Sequence, residues 1–134
     1  MKNLTVIIET AEKNYSAFIE GVDGITTTGS TIDEIKQNMS EAIDLFKNEC
    51  KELGCEIPEE LKDNYDLTFK TDVKSLLDVY SGIFSKAGLE RITGINQKQL
   101  WHYASGSSKP RPEQIRKIER ALHKLGKELI SLNL

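Results

Sequence analysis

Residues Gly88–Pro112 read G-L-E-R-I-T-G-I-N-Q-K-Q-L-W-H-Y-A-S-G-S-S-K-P-R-P, and their spacing predicts two short helices joined at Gly94. The first covers Leu89 to Thr93. The second runs from Gln97 to about Ala104 and starts at Asn96, with Gln99 three residues later. Asn–x–x–Gln is a variant of the capping box, in which the Asn side chain accepts from an orphan amide and the Gln reaches back to the cap. Ile95, Leu100 and Tyr103 then share one face, while Gln97, Lys98, Trp101 and His102 project elsewhere. A short helix that shows Gln, Lys and His while hiding Leu and Tyr meets the demands of reading base edges in a major groove.

Working outward toward the C-terminus, Pro112 suits the first turn of another helix, where its missing amide costs nothing. Ile115, Ile118, Leu122 and Leu125 give that helix an apolar face, with Arg116, Lys117, Arg120 and Lys124 directed outward. Gly126 is expected to close it. In the tail, residues 127–134, Ile130, Leu132 and Leu134 alternate and favour a short strand, whose open edge invites pairing with a second copy. Upstream, Asp72 is a candidate cap for a helix over Val73–Tyr80, and Ser81-Gly82 interrupts the chain before Ile83 and Phe84.

The first half of the chain has a different grammar. Leu4–Glu9, Tyr15–Glu20 and Ile25–Thr28 are short β-branched or alternating runs separated by turn residues, and read as strands. Thr31-Ile32-Asp33-Glu34 is a second capping box, opening a long helix. Its apolar positions, from Ile32 through Ile35, Met39, Ala42, Ile43, Phe46 and Cys50 to Leu53, keep one face before Gly54 stops it. Ile57–Leu61 reads as a loop with one helical turn, and Tyr65–Thr71 alternates as a fourth strand. The expectation is an α+β protein: a β-β-β-α-β domain over 1–71, its helix covering one face of an antiparallel sheet, then an all-helical domain over 72–134 with a short C-terminal strand.

Charge divides the chain at the same place. The formal −3 conceals 15 acidic and 7 basic residues in 1–71, against 6 acidic and 11 basic residues in 72–134. An acidic half joined to a basic half suggests two partners of opposite sign. No apolar run approaches the ~20 residues of a membrane span, and the N-terminus lacks a signal-peptide core. Cys50 and Cys55 are expected to be reduced thiols of a cytoplasmic protein, with Cys50 half-buried. His102, His123 and the cysteines show no metal-ligand spacing. Glu9, Glu20 and Asp66 are the strand carboxylates, and nothing in their spacing suggests that they converge as two-metal hydrolysis requires. No catalytic set, metal or cofactor is expected.

The pattern Y-S-A-F-I-E-G-V-D-G-I-T-T-T-G-S-T-I-D-E-I, within Met1–Thr71, resembles the HicB antitoxin family, whose N-terminal domain has a partial RNase H-like fold. Val22-Asp23-Gly24 here replaces the family's commoner Asp-x-x-Gly spacing. Phe84–Gly126, through G-I-N-Q-K-Q-L-W-H-Y-A-S-G-S-S-K-P, resembles the helix-turn-helix domains of the Cro/Xre repressor class; Ala104 stands where many members carry Glu. By position in that motif, Gln97, Lys98 and His102 would face base edges, and Asn96 and Gln99 would contribute to base or phosphate contacts. Ser107, Ser108 and Lys109 would lie in the loop near the DNA backbone. Lys109, Arg111, Arg116, Lys117 and Arg120 supply positive charge for phosphates. Trp101 has three open placements: against a neighbouring helix, on phosphate, or at a protein interface. The resemblance implies an antitoxin that neutralises a HicA-like toxin, a small basic RNA-cleaving protein, and represses its own operon as a dimer or higher homo-oligomer on operator DNA. The alternatives are a stand-alone regulator whose N-terminal domain senses a ligand or mediates oligomerisation, and a metal-dependent nuclease.

Overall fold

A computed structural model describes residues 2–134, and the chain divides into two compact units, Met1–Asp72 and Val73–Leu134. The first unit contains strands β1 (Lys2–Thr10), β2 (Tyr15–Ile19) and β3 (Thr26–Gly29), helix α1 (Ile32–Leu53), a 3₁₀ turn at Glu59–Leu61, and strand β4 (Tyr65–Thr71). The strand order in the sheet is β3-β2-β1-β4. β1–β2 and β2–β3 pair antiparallel, but β4 runs parallel to β1, with Lys2 opposite Tyr65 and Ile8 opposite Thr71. The sheet is therefore mixed, not antiparallel as expected. The reason is the length of α1: 22 residues span about 33 Å, enough to return the chain along the sheet so that β4 runs in the direction of β3.

Strand alternation sets what α1 covers. Leu4, Val6 and Ile8 of β1 and Ala17 and Ile19 of β2 are buried with Ile35, Met39 and Ile43 of α1. The opposite face carries Thr5, Glu9, Ser16 and Glu20 around a cross-strand Ile7–Phe18 pair, the half-buried pattern that a one-sided sheet permits. Thr31 caps α1, its hydroxyl accepting from the Glu34 amide at 3.1 Å. At the other end Gly54 adopts the left-handed conformation (φ 71°). Leu53, expected on the core stripe, is instead exposed, and Cys50 is buried rather than half-buried. The stripe ends one turn early because the chain turns away at Gly54.

The second unit is helical: α2 (Val73–Val79), α3 (Lys86–Thr93), α4 (Gln97–Ser105) and α5 (Pro112–Ile130). Val73, Leu77, Leu89, Ile95, Leu100, Tyr103 and Ile118 form its core. α3 starts earlier than Leu89, because the Ser85 hydroxyl accepts from the Gly88 amide at 2.9 Å and places Gly88 inside the first turn. The expected terminal strand is absent; α5 passes through Gly126 and ends at Ile130. Helix propagation outweighs the cost of one glycine, about 1 kcal/mol relative to alanine, and Leu122, Leu125 and Leu129 continue a helical period that the strand assignment overlooked. Ile83 is exposed, whereas Phe84 packs on the core. No helix among the described residues is long and apolar enough to cross a membrane.

Candidate nucleic-acid interface

The connection between α3 and α4 is held by four local devices. Gly94 takes the left-handed conformation (φ 76°, ψ 5°), and its amide donates to the Glu90 carbonyl at 2.7 Å. The buried Thr93 hydroxyl donates to the Leu89 carbonyl at 2.6 Å and accepts from the Ile95 amide at 3.1 Å, so the turn leaves no polar group stranded near Ile95. Asn96 caps α4, accepting from the Lys98 amide at 2.7 Å. The Glu90 carboxylate accepts from the Gln97 amide at 2.9 Å. Two of the orphan donors at the start of α4 are thus satisfied.

The second device of the expected capping box is different from the one foreseen. Gln99 does not return to Asn96; its amide donates to the Ser108 hydroxyl at 3.4 Å. Glu90 from the preceding helix instead accepts from the next amide, that of Gln97. Its separation of seven residues from Gln97 falls outside any local capping pattern, so only the folded turn reveals it.

Leu100 and Tyr103 are buried, while Gln97, Lys98 and Trp101 are exposed and Gln99 and His102 are partly covered. Gln97 and Lys98 make no side-chain hydrogen bond or ion pair among the described residues. They present an amide, which both donates and accepts, and an ammonium, which donates, on the first turn of one helix. His102 is more constrained: its Nδ1 lies 3.0 Å from the Ser107 hydroxyl. Ser107 in turn donates to the His102 carbonyl and touches the Ser105 hydroxyl at 3.0 Å. His102, Ser105 and Ser107 therefore form a closed cluster at the C-terminal end of α4, where Gly106 (φ 82°) turns the chain. No sequence motif marks Ser105 as part of this cluster. The Trp101 ring is 59% exposed and meets His102 edge-on, with centroids 5.3 Å apart, so it is not packed into a neighbouring helix.

Exposed cations occur in α4, in the loop after it and in α5. Lys98, Lys109, Arg111, Arg116 and Lys117 are exposed and make no ion pair among the described residues, and Arg120 donates to the Arg116 carbonyl at 3.4 Å. In the first unit Glu9 and Asp66 do not converge. Asp66 stands opposite Asn3 and Glu9 opposite Ser16, so the two acids are six residues apart along β1, roughly 20 Å at the rise of a strand. No group of three His, Cys, Asp or Glu suited to a metal occurs among the described residues.

Comparison of the chain with models of protein families, with curated proteins and with solved structures finds no match in any of the three.

Proposed function

We propose that this chain is the antitoxin of a HicA–HicB type pair: its acidic N-terminal unit neutralises a small basic RNA-cleaving toxin, and its C-terminal unit, a helix-turn-helix domain, represses the operon. The observation that carries the DNA-binding half is the first turn of α4, where Gln97 and Lys98 are exposed and have no side-chain partner among the described residues, while Leu100 and Tyr103 anchor the helix from behind. Gln pairs with adenine N6/N7 and Lys with guanine O6/N7. The unpaired cations around α4 and α5 add the salt-sensitive phosphate attraction. Since His102 and Ser107 already bond each other, they take the supporting place, and Gln97 and Lys98 the reading place.

A helix-turn-helix domain gains specificity by binding two half-sites as a dimer. The end of α5 offers the contact for a second copy. Ile115, Ile118, Leu122, Leu125 and Leu129 of α5 follow one another by three and four residues in alternation, the spacing of a paired-helix seam. Ile118 and the partly buried Leu122 serve the unit's own core, whereas Leu129 is 58% exposed.

For the toxin half, the support is electrostatic. Glu34, Glu41 and Glu52 lie seven and eleven residues apart on the solvent side of α1, beside the exposed Leu45. An acidic surface suits a partner built to hold RNA, because complementary potentials speed encounter and exclude wrong partners. Co-expression with the product of the neighbouring gene, followed by mass determination of the complex and binding to the upstream DNA, tests both halves. A stable complex with a basic RNase and a salt-sensitive, site-specific shift of that DNA are expected. A chain that binds DNA but captures no neighbouring product would instead be a stand-alone regulator.

A further inference from the structure

The C-terminal end of α1 brings together two cysteines through a backbone motif. Gly54 donates to the Lys51 carbonyl at 3.3 Å and Cys55 to the Cys50 carbonyl at 3.0 Å, the paired hydrogen bonds of a Schellman cap with Cys50 at C3 and Cys55 at C″. This motif normally packs the C3 and C″ side chains against each other. The main-chain bond alone limits the Cα separation of the two cysteines to roughly 7 Å from standard backbone dimensions, and a disulfide spans about 4.4–6.8 Å. The thiols converge on the same helix end: Cys55 Sγ donates to the Cys50 carbonyl at 3.4 Å, and Cys50 Sγ to the Glu56 carbonyl at 3.7 Å. A hydrogen bond to the Cys55 thiol, then burial, hold the Cys50 thiol above its usual range. Cys50 is buried and Cys55 exposed.

We propose that Cys50 and Cys55 are a redox modification site, a dithiol that closes to an intramolecular disulfide across the cap of α1 by exchange with a low-molecular-weight disulfide. The Cys55 thiolate attacks one sulfur of the small disulfide, forming a Cys55 mixed disulfide and releasing one thiolate. Cys50, having lost its proton to solvent, attacks Cys55 Sγ and expels the second thiolate. The small disulfide gains two electrons and two protons, and the protein loses two hydrogens. The division of labour follows from access: the exposed thiol meets the reagent and the shielded one resolves the adduct. Reversible closure of this kind belongs to redox sensing in reducing compartments.

The test uses the full chain with glutathione disulfide, followed by intact-mass measurement and free-thiol titration. The wild-type chain is expected to pass through a transient glutathione adduct to a monomer lacking two hydrogens and both free thiols, and dithiothreitol should restore it. Cys50→Ala should stop at the adduct. Cys55→Ala should react at least about tenfold more slowly, because its remaining thiol is shielded. A wild-type chain that stops at the adduct, or that links two copies through Cys55, overturns the proposal, and that arm requires no variant to fold. A Cys55→Ala chain that reacts as fast as wild type overturns the assignment of Cys55 as the attacking thiol.

Discussion

The two units carry opposite charge, and they also use their cations differently. In the first, Lys2 pairs with Glu59 at 3.8 Å, and Lys62 with Glu56 and Glu59 at 3.3 and 3.4 Å. Contacts with Glu56 and then Glu59 hold the Lys62 ammonium above lysine's usual range. Lys36 lies over the Phe69 ring and Lys47 over Tyr65, with ammonium–centroid distances of 5.6 and 4.9 Å. These lysines are turned to β4 and the loop before it, while Glu34, Glu41 and Glu52 face solvent. In the second unit Lys98, Lys109, Arg111, Arg116 and Lys117 have no such partners among the described residues. Counting residues therefore understates the contrast: four of the first unit's seven lysines are engaged within it, whereas these five cations of the second unit are left to solvent. A field directed outward is what steers a charged partner.

The largest expected effect breaks the contrast at α4. Gln97→Ala/Lys98→Ala removes both candidate base contacts, each worth about 1–3 kcal/mol of discrimination, so specific operator affinity should fall by about 2–6 kcal/mol in a fluorescence-anisotropy titration. Toxin neutralisation should remain. Operator affinity that survives the double change would mean that the recognition helix has been misplaced.

Next is the acidic face of α1. Glu34→Lys/Glu41→Lys/Glu52→Lys reverses three exposed charges without touching the buried stripe of Ile35, Met39 and Ile43. If this face steers a basic toxin, association at low salt should slow by about 10- to 100-fold, read by stopped-flow or biosensor kinetics. The same variant should keep its operator affinity. Unchanged toxin association would move the contact to the other face of the sheet, around Ile7 and Phe18.

Much of this was legible in the sequence, and the gaps have physical causes. The caps at Thr31 and Asn96, the left-handed glycines at 54 and 94, and the buried positions of α1 and α4 are local signals, each fixed by a few neighbouring residues. Pairing direction was not legible, because alternation in Tyr65–Thr71 is equally compatible with an antiparallel neighbour; the length of α1 decides it. The tail was misread because Ile130, Leu132 and Leu134 alternate while Leu122, Leu125 and Leu129 continue a helical period through the same region. For the site, Gln97 and Lys98 could be named from spacing. The Glu90 contact at the start of α4 and the His102–Ser105–Ser107 cluster could not, since both depend on how a turn folds back on a helix.

The phosphate attraction should be smaller per residue and separable by salt. Arg116→Ala and Lys117→Ala should each lower the slope of log affinity against log salt by about 1 if the residue meets a phosphate. Specificity should be unchanged, unlike the result for Gln97 and Lys98. In the first unit the matching substitution, Lys47→Ala, removes a cation already placed over Tyr65, and it should leave the slope untouched. A slope that drops equally for Lys47→Ala would erase the distinction between engaged and free cations.

The smallest effect compares two glycines, one from each unit, that the sequence treats alike. Both follow an amphipathic run and both read as helix stops. Gly54 has φ 71° and ends α1, whereas Gly126 lies inside α5 with no positive φ. A Cβ on either would meet no heavy atom within 4 Å, so packing does not separate them and backbone conformation does. Gly54→Ala forces a side chain into the left-handed region, costing about 1–2 kcal/mol. Gly126→Ala meets no such strain and restores helix propensity, which should stabilise the second unit by about 0.5–1 kcal/mol in urea denaturation. The opposite signs are the test. If Gly126→Ala destabilises the chain instead, then its Cβ obstructs a surface that α5 needs, and the seam proposed for a second copy is the surface concerned; mass determination of that variant against wild type would show the dimer loosening at the same substitution.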